Sequence, residues 1–222
     1  MTQKSLPTRT WVSAILIIIV IGSLTAFAYT TSNNALKDTV RQGMESTAAV
    51  MATQINASDI AGLTPGDENT PRYIAVVNHL QTMRSLDDRI INAYILKVNP
   101  DHTATFLVDD LMLEDPAGSA RIGEVSTSPD KREIFTALSV PTASKEPYTT
   151  KYGSFMSAYA PIDDSTNDST GNTYAVLAID MPASDYNAAT SRGGLILATG
   201  ILSILIALAT LFTCAGKEKN QR

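Results

Sequence analysis

The residues able to do chemistry are few and poorly spaced for catalysis. The chain has two histidines, His79 and His102, and one cysteine, Cys214. His79 falls in a stretch of helical periodicity and His102 in a turn, and both are expected to be exposed. A zinc site draws its ligands mainly from Cys and His, with Asp or Glu added. With no cysteine outside the last apolar segment, no such site is expected. Gly-x-Ser-x-Gly, a phosphate-cradling glycine loop and His-Glu-x-x-His are all missing from the sequence. Asp163-Asp164 with Asn167-Asp168 gathers the oxygens a calcium ion takes, but not at EF-hand spacing, and reads as a solvated acidic loop. Asn56-Ala57-Ser58 and Asn167-Asp168-Ser169 are N-glycosylation triplets. An enzyme is therefore the least supported function class, and no metal or resident cofactor is expected.

Whatever chemistry remains must be positioned by elements between two apolar stretches. Residues 11–29 and 193–215 carry no charge, and each stretch is rich in Ile, Leu and Ala. About 20 such residues in a helix cross a hydrocarbon core of about 30 Å. Trp11 and Tyr29 flank the first as interfacial aromatics do. Lys4 and Arg9 precede it, and Lys217, Lys219 and Arg222 follow the second, so both termini read as cytoplasmic. The expected organisation is a cytoplasmic N-terminus over residues 1–10, a transmembrane helix over 11–29, an extracytoplasmic domain over 30–192, a second transmembrane helix over 193–215 and a cytoplasmic tail over 216–222. The alternative for the first segment is a cleaved signal peptide, since Ala26-Phe27-Ala28 has the small-x-small form. The unbroken helical pattern after Tyr29 favours an anchor that stays. Cys214 reads as a small apolar residue rather than a lipidation site. Gly22 with Ala26, and Thr199, Ser203 and Ala207, lie four apart, a spacing that lets membrane helices approach closely.

The intervening segment holds 12 Lys and Arg against 21 Asp and Glu, a net charge near −9. That balance repels nucleic acid and anionic lipid surfaces. With no disulfide available, its fold rests on packing.

Within it, Leu36, Val40, Met44, Ala48, Met51 and Ile55 form one helical stripe over residues 31–60, suited either to pair with a second copy or to pack on its own domain. Turn formers fill 62–70, and Pro71 opens a second helix reaching about Leu86. Residues 90–98 and 103–108 read as a β-hairpin. Residues 109–147 are irregular, with one short helix at 131–138; a long irregular stretch in a compact domain is more often functional than accidental. Residues 148–161, with a bulge at Gly153, and 173–181 read as two more strands joined by a polar loop. An exit helix follows over 183–192. The expected fold class is α+β, an antiparallel sheet with helices on one face and the long loop over the other.

These strands resemble a known family. Ala93-Tyr94-Ile95-Leu96, Phe106-Leu107-Val108-Asp109-Asp110, Arg121-Ile122-Gly123-Glu124, the run from Tyr152 to Ile162 and the run from Gly171 to Asp180 follow in order the pattern of the extracytoplasmic PAS-like Cache (single Cache) sensor domains of histidine kinases, chemoreceptors and cyclases. The resemblance implies a five-stranded antiparallel sheet with a long N-terminal helix, homodimers, and signalling through two membrane helices. It also implies a small organic ligand held between sheet and covering loop.

Carried over residue by residue, it implies ligand-binding candidates at Tyr94, Phe106, Asp109, Asp110, Arg121, Tyr148, Lys151, Tyr152, Ser154, Ser157, Tyr159 and Asp180. Aromatics would wall the ligand, Arg121 or Lys151 would clamp a carboxylate, and Asp109 or Asp180 would take an amine, so carboxylates, amino acids and amines all stand as ligand classes. Alternate residues of 152–159 face opposite ways, and the sequence leaves open which set faces the ligand. The family usually continues into a cytoplasmic output module. Here the expectation is a sensor without its own output, signalling through a separate membrane or cytoplasmic partner. The alternatives are a structural or assembly subunit of a membrane complex, and a truncated or split receptor.

Overall fold

The helix α1, Thr8–Ala52, is 45 residues long and contains no proline to interrupt it. The computed structural model describes residues 8–101, 103–162, 175–191 and 194–220. The expected polar loop at 163–172, its calcium reading, the second glycosylation triplet and His102 lie outside the described residues. The chain divides into two units, residues 38–188 and the two terminal stretches, 1–37 with 189–222.

In the terminal unit, α1 and the 27-residue helix α6, Gly194–Asn220, are long and apolar enough to cross a membrane. Mean hydropathy reaches 2.4 and 2.6 in the best windows of these two regions. The α6 helix runs past Ala215, where the sequence suggested the apolar segment stops. Trp11 meets Phe212 edge-on with ring centroids 5.6 Å apart. Gly200 faces Thr25 so closely that a Cβ there would lie 2.3 Å from Thr25 Cγ2 and Oγ1. Thr25 and Ser203 return their hydroxyls to the carbonyls of Ile21 and Thr199, both at 2.8 Å, so neither leaves a bare donor in an apolar helix.

In the unit 38–188, Met44, Ala48 and Met51 of α1 are buried in its core, so the upper part of the stripe packs on its own domain. The helix does not run to Ile60. It stops at Ala52, and a separate turn α2, Ala57–Ile60, starts under Asn56, whose Oδ1 accepts from Ser58 N at 3.0 Å. The Arg72 guanidinium then donates to the carbonyls of Asp59 and Ala61 at 2.8 and 2.7 Å, satisfying acceptors at the end of α2. The third helix, α3, is Pro71–Arg84, capped by Thr70 and with Pro71 in its first turn. Tyr73, Val76, Val77, Leu80 and Met83 form its buried face.

The sheet has six strands: β1 Asn92–Val98, β2 Ala104–Asp109, β3 Thr142–Ala143, β4 Tyr148–Thr150, β5 Gly153–Pro161 and β6 Ala175–Pro182. Their order is β2-β1-β6-β5-β3, all antiparallel, with β4 also on β5. The expected single strand over 148–161 is instead a hairpin. Thr150 pairs with Gly153, which leaves Lys151-Tyr152 as a two-residue turn. Gly153 takes φ +143°, which a side chain would resist. One face of the sheet, with Ala93, Ile95, Met156, Ala158, Leu177 and Ile179, packs against α1, α2 and α3. The other carries Tyr94, Leu96, Phe106, Tyr159, Val176 and Ala178. Leu107 is an extra residue in β2, because Val108 pairs with Ile95 and Phe106 with Leu96. This bulge puts Val108 on the helix face and Phe106 on the other.

The long connection from β2 crosses that second face. It is tied to the outer edge of β2 by Gly123 N to Phe106 O at 2.8 Å, Phe106 N to Glu124 O at 2.9 Å and Ser126 N to Ala104 O at 2.8 Å. The short helix within it, α4, spans Lys131–Thr136, and α5, Ala183–Thr190, follows β6.

Gly200→Leu should lower the thermal midpoint of the detergent-solubilised full chain, since overpacking at a close contact costs about 1–3 kcal/mol. Gly216→Leu meets nothing within 4 Å and is the control for the shared gain in helix propensity. Equal midpoints in the two variants would refute the Gly200–Thr25 contact.

Candidate functional site

The register lines up three polar residues across adjacent strands: Asn92 of β1 opposite Asp180 of β6, and Asp180 opposite Ser157 of β5. All three lie on the face under the covering loop. Asp180 is buried, and its Oδ1 accepts from Ser157 Oγ at 2.5 Å and from Tyr94 OH at 3.3 Å. Ser157 Oγ lies 2.7 Å from Tyr148 OH, which lies 3.2 Å from Tyr159 OH. Tyr159 donates to Asp130 Oδ2 at 3.1 Å, and Ser144 Oγ donates to the same oxygen. Two buried carboxylates are thus joined through a run of three hydroxyls. Among the described residues, no ion pair reaches Asp180 or Asp130.

Burial penalises the charged form of Asp180 and pushes its carboxyl up to about 7, against the pull of hydrogen bonds from Ser157 and Tyr94 and with a further push from Asp109 and Asp130. Burial likewise raises Asp130. Tyr148 is raised to about 12, by burial first and the Asp180 charge second.

The walls are aromatic. Tyr94 and Phe106 have ring centroids 5.3 Å apart, and Tyr152 stands edge-on to Phe106 at 6.2 Å. Asp109 closes one end, its two oxygens accepting from Leu111 N at 3.0 Å and Ala120 N at 2.8 Å. Asn92 Oδ1 is buried and has no hydrogen-bond partner among the described residues. The space these groups line, with Ser126, Thr127 and Ser128 of the loop above, is about 30 Å3. That is the volume of about one water molecule. Larger hollows, of about 440 Å3 between the 54–59 segment and α3 and of about 670 Å3 along α1 and α3, are open to solvent and without a buried charge.

Six of the residues implied by the family resemblance line this slot: Tyr94, Phe106, Asp109, Tyr148, Tyr152 and Asp180. Ser157 and Tyr159 lie beneath it in the hydroxyl run, so 155, 157 and 159 are the residues of β5 that face the loop. The other four lie elsewhere. Asp110 turns to the helix side, where Arg84 Nε binds it and Ala93 N donates at 3.2 Å. Ser154 is exposed and shares a 2.7 Å hydrogen bond with Thr149. Lys151, in the β4–β5 turn, pairs with Glu124 at 2.8 Å and lies 4.7 Å from the Tyr152 ring centre. Arg121 is exposed. Neither cation expected to clamp a carboxylate reaches the slot. Burial works against the Glu124 charge, but hydrogen bonds from Lys151 and Tyr152 outweigh it and hold that carboxyl below its ordinary value.

Sequence reasoning missed Asn92, Asp130, Ser128 and Ser144. Asn92 carried a usable signal, since it lies two residues before Tyr94 and so on the same face of β1. Asp130 gave a misleading one. It occupies the N-cap position of α4, yet its side chain makes no cap bond and turns inward.

No family model and no curated relative matches this chain. It is similar to solved structures of sensory and periplasmic domains, the class that the strand motifs resemble. The sensory domain of the Campylobacter jejuni chemoreceptor Tlp3 with isoleucine bound matches at 16% identity and TM-score 0.43, over 80% of this chain and 67% of that one. The Tlp3 ligand-binding domain in complex with L-valine matches at 14% and 0.37, over 83% and 64%. The periplasmic domain of RsbU from Chlamydia trachomatis matches at 12% and 0.46, over 78% and 56%.

The raised carboxyl of Asp180 makes stability depend on pH with a definite sign. Its contribution is fully present below the ordinary carboxylate range near pH 4 and is lost as pH rises through about 7, because the folded state holds the proton more tightly than the unfolded chain. Each tenfold change in proton affinity is worth about 1.4 kcal/mol, so the loss amounts to a few kcal/mol. Asp110, raised by burial to about 6, acts in the same direction. The denaturation midpoint of the full chain should therefore fall between pH 5 and pH 8, and Asp180→Asn should reduce that slope without abolishing it. An unchanged slope in Asp180→Asn would refute the assignment.

Proposed function

We propose that this chain is a membrane-anchored extracytoplasmic sensor. It holds a small molecule bearing a protonated amine against Asp180, between the sheet face and the covering loop. One observation carries this reading: Asp180 is buried in a chain of hydroxyls and carboxylates with no cation bonded to it. A buried carboxylate favours a positive partner strongly. An ammonium group there would find acceptors in Asp180 and in the unpartnered Asn92 Oδ1. Tyr94, Phe106 and Tyr152 offer ring faces to the same cation and apolar surface to its substituent. A free carboxylate would meet Asp109, Asp130 and Asp180 without a neutralising Arg or Lys, so of the three ligand classes the amine fits best and the plain carboxylate worst.

The slot of about 30 Å3 requires the covering loop to move outward for any ligand larger than water. The two long apolar helices would anchor the domain, with Lys4, Arg9, Lys217, Lys219 and Arg222 holding both termini in the cytoplasm. A homodimer signalling through those helices to a membrane or cytoplasmic partner completes the reading. The same small volume favours the second reading, a structural subunit whose slot is filled by its own side chains.

Isoleucine, its decarboxylated amine and its deaminated acid separate the two in a thermal-shift titration of the full chain. The amine-bearing compounds should raise the midpoint, the acid should not, and Asp180→Asn should remove the response. A ligand at 100 times its Kd stabilises by about 2.7 kcal/mol. Affinity should rise with pH up to about 7, because the cation needs Asp180 charged. Absence of any shift across primary amines and amino acids would favour the structural subunit.

A further inference from the structure

We infer that Arg41 is the positioning residue that ties the Asp180 slot to α1, the helix that runs on to Thr8. This inference rests on the sensor reading and names the route by which the state of the slot would reach a membrane helix. Arg41 donates from Nε to Ser144 O at 2.9 Å and from its second terminal nitrogen to Ala143 O at 3.3 Å. These are the only direct attachments of its guanidinium to the sheet among the described residues. Its other partners, Asp38 at 3.8 Å and Glu45 at 4.0 Å, lie on α1 itself.

One carbonyl it grips, that of Ala143, ends the edge strand β3 and the other, that of Ser144, follows it; β3 is only two residues long and would be weakly placed by its own ladder. Ser144 is at the same time built into the site. Its N–H donates to Ser157 O at 2.8 Å, its Oγ accepts from Ser157 N at 3.0 Å, and it donates to the Asp130 carboxylate. Ser157 in turn donates to Asp180. One hydrogen-bonded line therefore runs from Asp180 through Ser157 and Ser144 to Arg41. A change that shifts Ser157 moves Ser144, and the fork of Arg41 must follow or break. The planar guanidinium fits two adjacent carbonyls in a way an ammonium cannot.

The test is a double-variant cycle on the full chain in lipid nanodiscs, read by thermal midpoint and by deuterium uptake at residues 38–45. It needs no ligand, because Asp180→Asn itself perturbs the slot, so failure of the amine titration and failure of this coupling are separate results. Residues without shared partners add nearly independently. The expected result is that the midpoint shifts of Asp180→Asn and Arg41→Gln fail to add in the double variant by about 2 °C or more. Asp180→Asn should also change deuterium uptake at 38–45, and Ser144→Ala, which removes the Oγ bonds and keeps the backbone ones, should reduce that change. Arg41→Lys should behave as Arg41→Gln. Additive shifts with unchanged uptake would overturn the inference, and so would full rescue by Arg41→Lys, which would reduce Arg41 to a charge between Asp38 and Glu45.

Discussion

Burying a carboxylate without a counter-charge costs several kcal/mol unless hydrogen bonds or a proton compensate. Asp180 meets that cost with Ser157 and Tyr94, and the arrangement around it follows. Ser157 must sit beside it on β5 and Tyr94 on β1, so β6 has to lie between those two strands. Tyr148 and Tyr159 then carry the run on to Asp130, which requires the covering loop and the β4–β5 hairpin to close over the same face. A greasy residue at position 180 would remove the reason for each of these polar groups to be where it is.

The opposite face shows what the sheet does when no such constraint acts. Ala93, Ile95, Met156, Ala158, Leu177 and Ile179 are plain apolar residues under three helices. They hold the strands in one register, since a slip by one residue would bring Asp180 and Ser157 into the helix core. The apolar face therefore fixes the geometry of the polar one. The single departure, the extra Leu107, carries Phe106 to the slot while Val108 stays in the core.

How much of this the sequence disclosed depended on the range of the interaction involved. Local periodicity revealed α3, the β1–β2 hairpin and the apolar terminal helices, because each is written in neighbouring residues. The break after Ala52 was hidden, since it depends on Asn56 capping a turn and on Arg72 reaching back to its carbonyls from a different helix. From sequence the β4–β5 turn reads as a bulge, because Gly153 signals an unusual φ without saying which irregularity needs it. Among the candidate site residues, the strand residues Tyr94, Phe106, Asp109, Tyr148, Ser157, Tyr159 and Asp180 converge, as does Tyr152 of the β4–β5 turn. Arg121, Lys151 and Asp110 do not, because charge type says nothing of the direction in which a loop or turn aims a side chain. Asp130 and Arg41 stayed unseen because their partners are about 30 and 100 residues away in the chain.

The closed slot and the acidic slot are connected facts. With Asp180 pushed up to about 7, a proton is available near neutral pH to do what a cationic ligand would do, which is to relieve the buried charge. The small volume can then be stable without a ligand, and on the proposed reading a cationic ligand would have to displace both the proton and the loop. The backbone bonds from Gly123 to Ser126 hold the loop to the edge of β2, whereas beyond them Ser128 and Asp130 are held through side chains, at Tyr159 and Ser144. Asp130, held through those bonds, is also one of the charges that push the Asp180 carboxyl up. Electrostatics at Asp180 and the position of Asp130 are thus joined through one run of hydrogen bonds. On the proposed reading, a single charge on a small molecule would act through this linkage on β3, where Arg41 is attached.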